Sequence, residues 1–316
     1  MGDSQWEKRI PSAQELRGGF ENADDILSRI IGPDSSIGSD LLHDTLLAKS
    51  VNSRRMKRSD STRVVSVTNQ KGGVGKTTTT VNVATSFAAE GVPVLVIDLD
   101  PQANTSSSLG ARQRGRGIYE VMTGQLEMEE AVRKSPLFPS LDVVPSSIDL
   151  SAIELEMAGE AKREAILKKR LFSYLERSGK KYEYVFIDCA PSLGLLVLNA
   201  LTSSQEVLIP VQVEYYALEG LSQLLKTIDL VRLNFNPGLK GVMMILNMVD
   251  KRTLLSRKIC QAVKEAYPSM VLSSSIPRLV RVAEAAAAGE SLTSFDPASP
   301  AAVAYRQACL EIAERM

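Results

Sequence analysis

The chain has 316 residues, 44% of them hydrophobic and 23% charged, which is enough for one large α/β domain with an appendage. Lys and Arg number 37 and Asp and Glu 37, so the net charge is zero; this excludes bulk-charge coating of nucleic acid but not a local basic patch. Cys189, Cys260 and Cys309 are scattered without a C-x-x-C pair, which excludes a disulfide framework or thiolate metal site and fits a reducing cytoplasm, and neither a signal-peptide core nor a long apolar run suggests export or membrane spanning.

Residues 1–61 are polar and mixed in charge, and are expected to form a largely flexible N-terminal extension with short helices. Ile26-Leu27 with Ile30-Ile31, and Leu41-Leu42 with Leu46-Leu47, repeat at a spacing of four and line one face of a short helix each. Asp24 and Asp40 stand where N-caps are expected. Arg54-Arg55-Met56-Lys57-Arg58 reads as a solvated basic linker.

From Thr62 to the end the pattern alternates strand and helix. Apolar, β-rich runs occur at 64–67, 92–97, 141–144, 184–187, 207–211, 242–249 and 270–276. Helical stretches are expected at 76–89, 152–176, 193–203, 218–235, 256–266, 280–288 and 298–314. Because the strands are continuously apolar, both sheet faces should be covered. Residues 62–316 therefore read as a doubly wound α/β domain with a mainly parallel sheet.

The first strand leads into Lys71-Gly72-Gly73-Val74-Gly75-Lys76-Thr77-Thr78, and a helix follows. Strand, glycine-rich turn and helix N-terminus together make a phosphate cradle of the P-loop type. Gly72, Gly73 and Gly75 are expected to take φ > 0 and bring backbone N–H groups to an anion. Lys76 is placed to reach β- and γ-phosphates, and the Thr77 hydroxyl to ligate Mg²⁺. In G-x-x-x-x-G-K-[ST] the first glycine would fall at Gln70, where this chain departs from the pattern, and Lys71 comes immediately after. A lysine there is either a solvated loop residue or a cation lent to a neighbouring subunit's γ-phosphate. The intact G-K-T-T beside it favours the second.

Asp98 and Asp100 follow the second strand, and Asp188 ends the run 184–187. Ligands of such sheets sit at the C-terminal strand ends, so these carboxylates are candidates for Mg²⁺ or for orienting an attacking water. Asp188 reads as the Walker B aspartate, which binds the metal through water. Cys189 beside it reads as a small strand-end filler rather than a nucleophile.

The loop is similar to the deviant Walker A motif of the ParA/MinD group of ATPases. Asp98-Leu99-Asp100-Pro101-Gln102, Asp188 through Gly194, Glu214 through Leu221 and Ile276-Pro277-Arg278 follow in the order of Soj-type ParA partition ATPases. The resemblance covers roughly residues 62–316. It implies an Mg-dependent ATPase of weak basal activity, with ATP and Mg²⁺ bound by residues 71–78 and Pro277. Asp100 would be the hydrolytic aspartate, with Lys71 and Lys76 assisting. Thr77, Asp98 and Asp188 would attend the metal, and Ala190 through Gly194 would form the second switch. Where the family's Ile-Pro-Arg-Asn segment carries asparagine at the base, this chain has Leu279, which cannot hydrogen-bond adenine.

The resemblance further implies an ATP-dependent sandwich homodimer, cytoplasmic and nucleoid-associated. Arg252, Arg257, Arg278 and Arg281 would contact non-specific DNA. Hydrolysis stimulated by a ParB-type centromere-binding partner would release the dimer and segregate an origin region. A MinD-like regulator of the division site is the membrane alternative, but the C-terminal stretch 305–316 balances its charges where a membrane helix would be rich in Lys and Arg. Iron–sulfur carrier relatives need paired cysteines, which this sequence lacks.

Overall fold

The computed structural model describes residues 36–112, 115–214 and 217–315. It divides into two units, Met1–Ser53 and Arg54–Met316. In the first, α1 spans Ser36–Ser53, so the Leu41/Leu46 cluster lies on one 18-residue helix rather than a short one. Asp40, expected as an N-cap, sits inside that helix. Asp24 and the apolar cluster at 26–31 lie outside the described residues.

The second unit is built on an eight-stranded sheet in the order β3-β4-β2-β5-β1-β6-β7-β8. The strands are β1 Arg63–Val67, β2 Val94–Leu99, β3 Arg133–Lys134, β4 Leu141–Val144, β5 Tyr184–Cys189, β6 Glu206–Gln212, β7 Gly241–Val249 and β8 Val271–Pro277. All pair in parallel except β3, a two-residue antiparallel strip on the β4 edge. Its sequence, Arg-Lys, carries no strand pattern, which is why the sequence gives no sign of it.

Every residue of β1, β2 and β5 is buried, as expected for strands covered on both faces. Each large side chain fully buried in this way stabilises the fold by about 1.5–3 kcal/mol. Phe87 from α2 (Lys76–Ala89) stacks on Tyr184 at 4.2 Å between ring centroids, and Tyr184 stacks on Phe186 at 5.7 Å. The remaining long helices are α3 Ile166–Arg177, α4 Leu195–Ser203, α5 Ala217–Asn234, α6 Leu254–Ala266, α7 Val280–Ala287 and α8 Pro300–Glu314.

The base of the sheet is tied by Arg63, which is 4% exposed. Its guanidinium donates twice to Glu206 at 2.6 Å, to the Tyr184 hydroxyl at 3.0 Å and to the Ile312 carbonyl at 2.8 Å. Removing either charge would strand the other in the interior, at a cost of about 3–5 kcal/mol. The basic run before β1 is bound at this same end. Met56 is buried, Arg54 pairs with Glu314 at 2.6 Å, and Arg58 and the Ser59 amide both reach Glu183. Its charged side chains are exposed, as expected of a solvated linker, but Arg54 and Arg58 are also paired with carboxylates and Met56 is buried.

The continuous helix expected over 152–176 is broken. A 3₁₀ turn at Ile148–Ala152 and a short helix at Ile153–Glu156 come first, then a second 3₁₀ turn at Arg163–Ala165 precedes α3. Lys162 takes φ 57° between them. The reason is tertiary: Asn199 of α4 accepts from the Leu167 amide at 3.0 Å and donates to the Arg163 carbonyl at 2.9 Å. Gly159 in the gap further disfavours helix there.

Candidate nucleotide site

Because β1 is central, with β5 and β6 on either side, the loop after it emerges where the strand order reverses. Gly73 and Gly75 have φ 74° and 88°, in the left-handed region that glycine tolerates. Gly75 is also crowded, since an added Cβ would lie 2.8 Å from Asn247 Nδ2. Gly72 corrects the sequence expectation: its φ is not positive, and a Cβ there meets nothing within 4 Å. Gly75 caps α2, whose N-terminal amides face the hollow of the loop.

Lys76, at the first position of α2, is 7% exposed and donates from Nζ to the Lys71 carbonyl at 3.0 Å. Burial lowers its pKa, partly offset by the charges of Asp188 and Asp100. Val74 is buried, and its carbonyl accepts from Asn247 Nδ2 at 3.0 Å. Thr78 is half-buried at the rim of an adjoining cavity.

Asp98 and Asp188 stand side by side in the β2–β5 register, both fully buried. Asp188 accepts three hydroxyls: Thr77 at 2.9 Å, Thr80 at 3.0 Å and Thr105 at 2.6 Å. Asp98 accepts the Ser106 amide and hydroxyl at 2.8 and 2.6 Å and the Asp100 amide at 3.2 Å. Burial pushes both carboxyls above the usual carboxylate range, and for Asp98 the charge of Asp188 adds to it. Asp100 is half-buried and accepts from the Gln102 amide at 3.0 Å, closing a turn at the mouth of the site. Cys189 is buried and its thiol pKa is raised by that burial, in keeping with a filler.

Lys71 lies apart from this cluster. Its side chain is half exposed and pairs with Glu214 of the same chain. Tyr215 and Tyr216, next in that motif, lie outside the described residues.

Beside the loop is a cavity of about 290 Å³, lined by Gly75, Thr78, Asn247, Pro277, Leu279 and Tyr305 among others. Asn247 was not singled out in the sequence. Its Nδ2 donates to Val74 and to Thr79 Oγ1, both at 3.0 Å, while Oδ1 is buried and has no protein partner. The signal available was an amide inside the otherwise apolar strand β7. Met248, next to it, has φ 57°, a conformation that costs a non-glycine residue about 1–3 kcal/mol.

All four candidate arginines are exposed, at or near the ends of β7 and β8. Arg252 forks onto Asp250 at 2.9 Å and holds that carboxyl well below its usual range. Arg281 pairs with Glu284 at 3.0 Å and with Asp296 at 3.5 Å. Arg278 borders the cavity just described, and its amide donates to the Val249 carbonyl at 3.1 Å. Arg257 follows one turn into α6.

A family model described as an AAA domain matches residues 62–241. The sporulation initiation inhibitor protein Soj of Bacillus subtilis is 41% identical over 253 residues, which is 79% of this chain and 98% of that relative. The chromosome partitioning protein ParA of Caulobacter vibrioides is 41% identical over 255 residues, covering 80% and 94%. Among solved structures, cobyrinic acid a,c-diamide synthase from Mycobacterium smegmatis, with bound ATP analog and magnesium, has a TM-score of 0.66 at 35% identity. That match covers 80% of this chain and 93% of the other.

Proposed function

The chain belongs to the Soj/ParA family of chromosome-partitioning ATPases, and on that premise we propose that it is a Mg-dependent ATPase whose ATP-bound dimer holds DNA and lets go on hydrolysis. The observation that carries this is the convergence of Lys76, Thr77, Asp98, Asp100 and Asp188 at the ends of three adjacent strands. An oxygen-only donor set of Thr77 and Asp188 suits Mg²⁺, which keeps several waters and takes its other oxygens from phosphates. Bound there, the ion would offset phosphate charge.

The roles of the chain's own residues follow from their positions. Backbone amides of residues 72–77 cradle the phosphates, and Lys76 exchanges the Lys71 carbonyl for a phosphate oxygen. Asp188 orients the Thr77 hydroxyl, while Asp98, committed to Ser106 and to the Asp100 amide, shapes the loop that carries Asp100. Asp100, at the open mouth, orients the attacking water. The buried Asn247 Oδ1 supplies the acceptor for an adenine amine that Leu279 cannot.

In the dimer, Lys71 leaves Glu214 and lends its ammonium to the partner's phosphates. Arg252, Arg257, Arg278 and Arg281 contact DNA phosphates without reading sequence. A ParB-type protein is the partner that stimulates hydrolysis, and the ATP-bound protein resides on the nucleoid. Sizing by light scattering with a non-hydrolysable analogue and magnesium tests the reading, together with retention of arbitrary-sequence duplex. A dimer that retains DNA is expected; a monomer under those conditions overturns it.

A further inference from the structure

Asp188 and α4 are joined by residues 189–194, of which Pro191, Ser192 and Leu193 are exposed. One end of this segment is anchored by the three hydroxyls on Asp188. The other end is gripped from outside. The Leu195 amide, first in α4, donates to Glu154 Oε1 at 2.7 Å. Glu154 belongs to the short helix Ile153–Glu156, seated by the fully buried Leu150 and Ile153.

The grip is sterically specific. A Cβ at residue 194 would lie 1.9 Å from Glu154 Oε1 and 3.0 Å from its carboxyl carbon. Gly194 is extended, with φ −91° and ψ −165°, so its backbone does not require glycine. A side chain there would instead have to push the Glu154 carboxylate, the flexible end of an exposed side chain, off the Leu195 amide. A negative charge at a helix N-terminus satisfies an amide that α4 cannot pair internally and is favoured by the helix dipole. The same strand-to-helix segment, 148–167, is tied a turn further on by Asn199 to Arg163 and Leu167.

We propose that Glu154 is a positioning residue for the ATPase: it pins the start of α4 through the Leu195 amide, past Gly194, so that residues 190–193 are held between two fixed points. This rests on the reading of residues 190–194 as the second switch, which answers the γ-phosphate. Freed from Glu154, the segment would spend less time aligned, and turnover would fall while the phosphate loop and the Asn247 cavity kept their hold on ATP.

The test is a double-mutant cycle of Glu154→Ala and Gly194→Ala, read as kcat at saturating ATP, ATP affinity and Tm, with Glu154→Gln as the conservative variant. Each single change is expected to lower kcat about five-fold, the size of one lost helix cap, with ATP affinity held within about two-fold. The double variant should be no slower than either single one, because the added methyl group has no carboxylate left to displace. Glu154→Gln, which keeps an acceptor, should recover most of the activity. Additive losses, an unmoved kcat, or affinity and Tm falling in step with kcat would each overturn the proposal. Should Gly194→Ala not fold, the Ala and Gln changes at Glu154 decide it alone. A wild-type chain that does not hydrolyse ATP overturns the parent reading and this one with it; an active wild type with unmoved variants overturns only this one.

Discussion

The Lys71 ammonium is held by the Glu214 carboxylate of its own chain, not by the phosphate loop that it heads. Both side chains are about half exposed, and such pairs contribute about 0–1 kcal/mol, so a partner's phosphates can take the lysine at little cost. Lys71→Ala should therefore bind ATP normally as a monomer and lose ATP-dependent dimerisation and stimulated turnover, the latter by about a hundred-fold or more. Sizing with ATP and a stimulated-rate assay check this. Full stimulation in the variant would remove the lysine from the reaction.

Lys76 is the cation buried inside the loop, with its ammonium held at the Lys71 carbonyl. Lys76→Ala should abolish measurable nucleotide binding. Calorimetry giving an unchanged ATP affinity would contradict the cradle.

Asp100 sits at the mouth of the site, tied to Asp98 through its amide but with its carboxylate outside the buried Asp98–Asp188 pair, so loss of the side chain should spare binding. Asp100→Ala is expected to bind ATP, hydrolyse it about a hundred-fold or more slowly, and accumulate as a dimer on DNA. A variant that turns over ATP at the wild-type rate would refute the assignment.

Asn247 lines the cavity beside Gly75, and its amide oxygen is buried with no protein partner. Adenine offers an amine to such an acceptor, whereas guanine offers a carbonyl oxygen at the same place. Asn247→Ala should lose about ten-fold in ATP affinity and most of any preference for ATP over GTP. Competition of the two nucleotides against a fluorescent analogue measures both, and a retained preference would place adenine recognition elsewhere.

Arg252 and Arg281 enter DNA contact already paired, with Asp250 and with Glu284 and Asp296. Replacing both with glutamate should remove retention on non-specific duplex at moderate salt while leaving basal ATPase within about two-fold, since neither touches the phosphate loop. The slope of affinity against salt in the wild type reports how many phosphate contacts are made. Undiminished retention by the doubly substituted chain would rule the patch out.

The sequence by itself determined much of what depends on neighbours along the chain, though not the φ of Gly72 or the start of α1. Continuous apolar runs such as β1 and β5 can only be strands covered on both sides, and the glycine-lysine-threonine turn between a strand and a helix can only present amides to an anion. Carboxylates that end strands, Asp98 and Asp188, are placed at the ligand edge by parallel topology alone. Tertiary structure decided what depends on contacts between distant residues. Asn247 is 172 positions from Gly75 yet fills the space that a side chain there would need, and its one local mark, an amide in an apolar strand, does not say what it meets. The break in the helix expected over 152–176 comes from Asn199 of α4 binding the Leu167 amide and the Arg163 carbonyl, while the free amide at the start of α4 donates to the Glu154 carboxylate that the fold delivers. Lys71 finds Glu214 for the same reason: periodicity and propensity act within a few residues, while ion pairs and steric exclusion act wherever the packed chain brings atoms together.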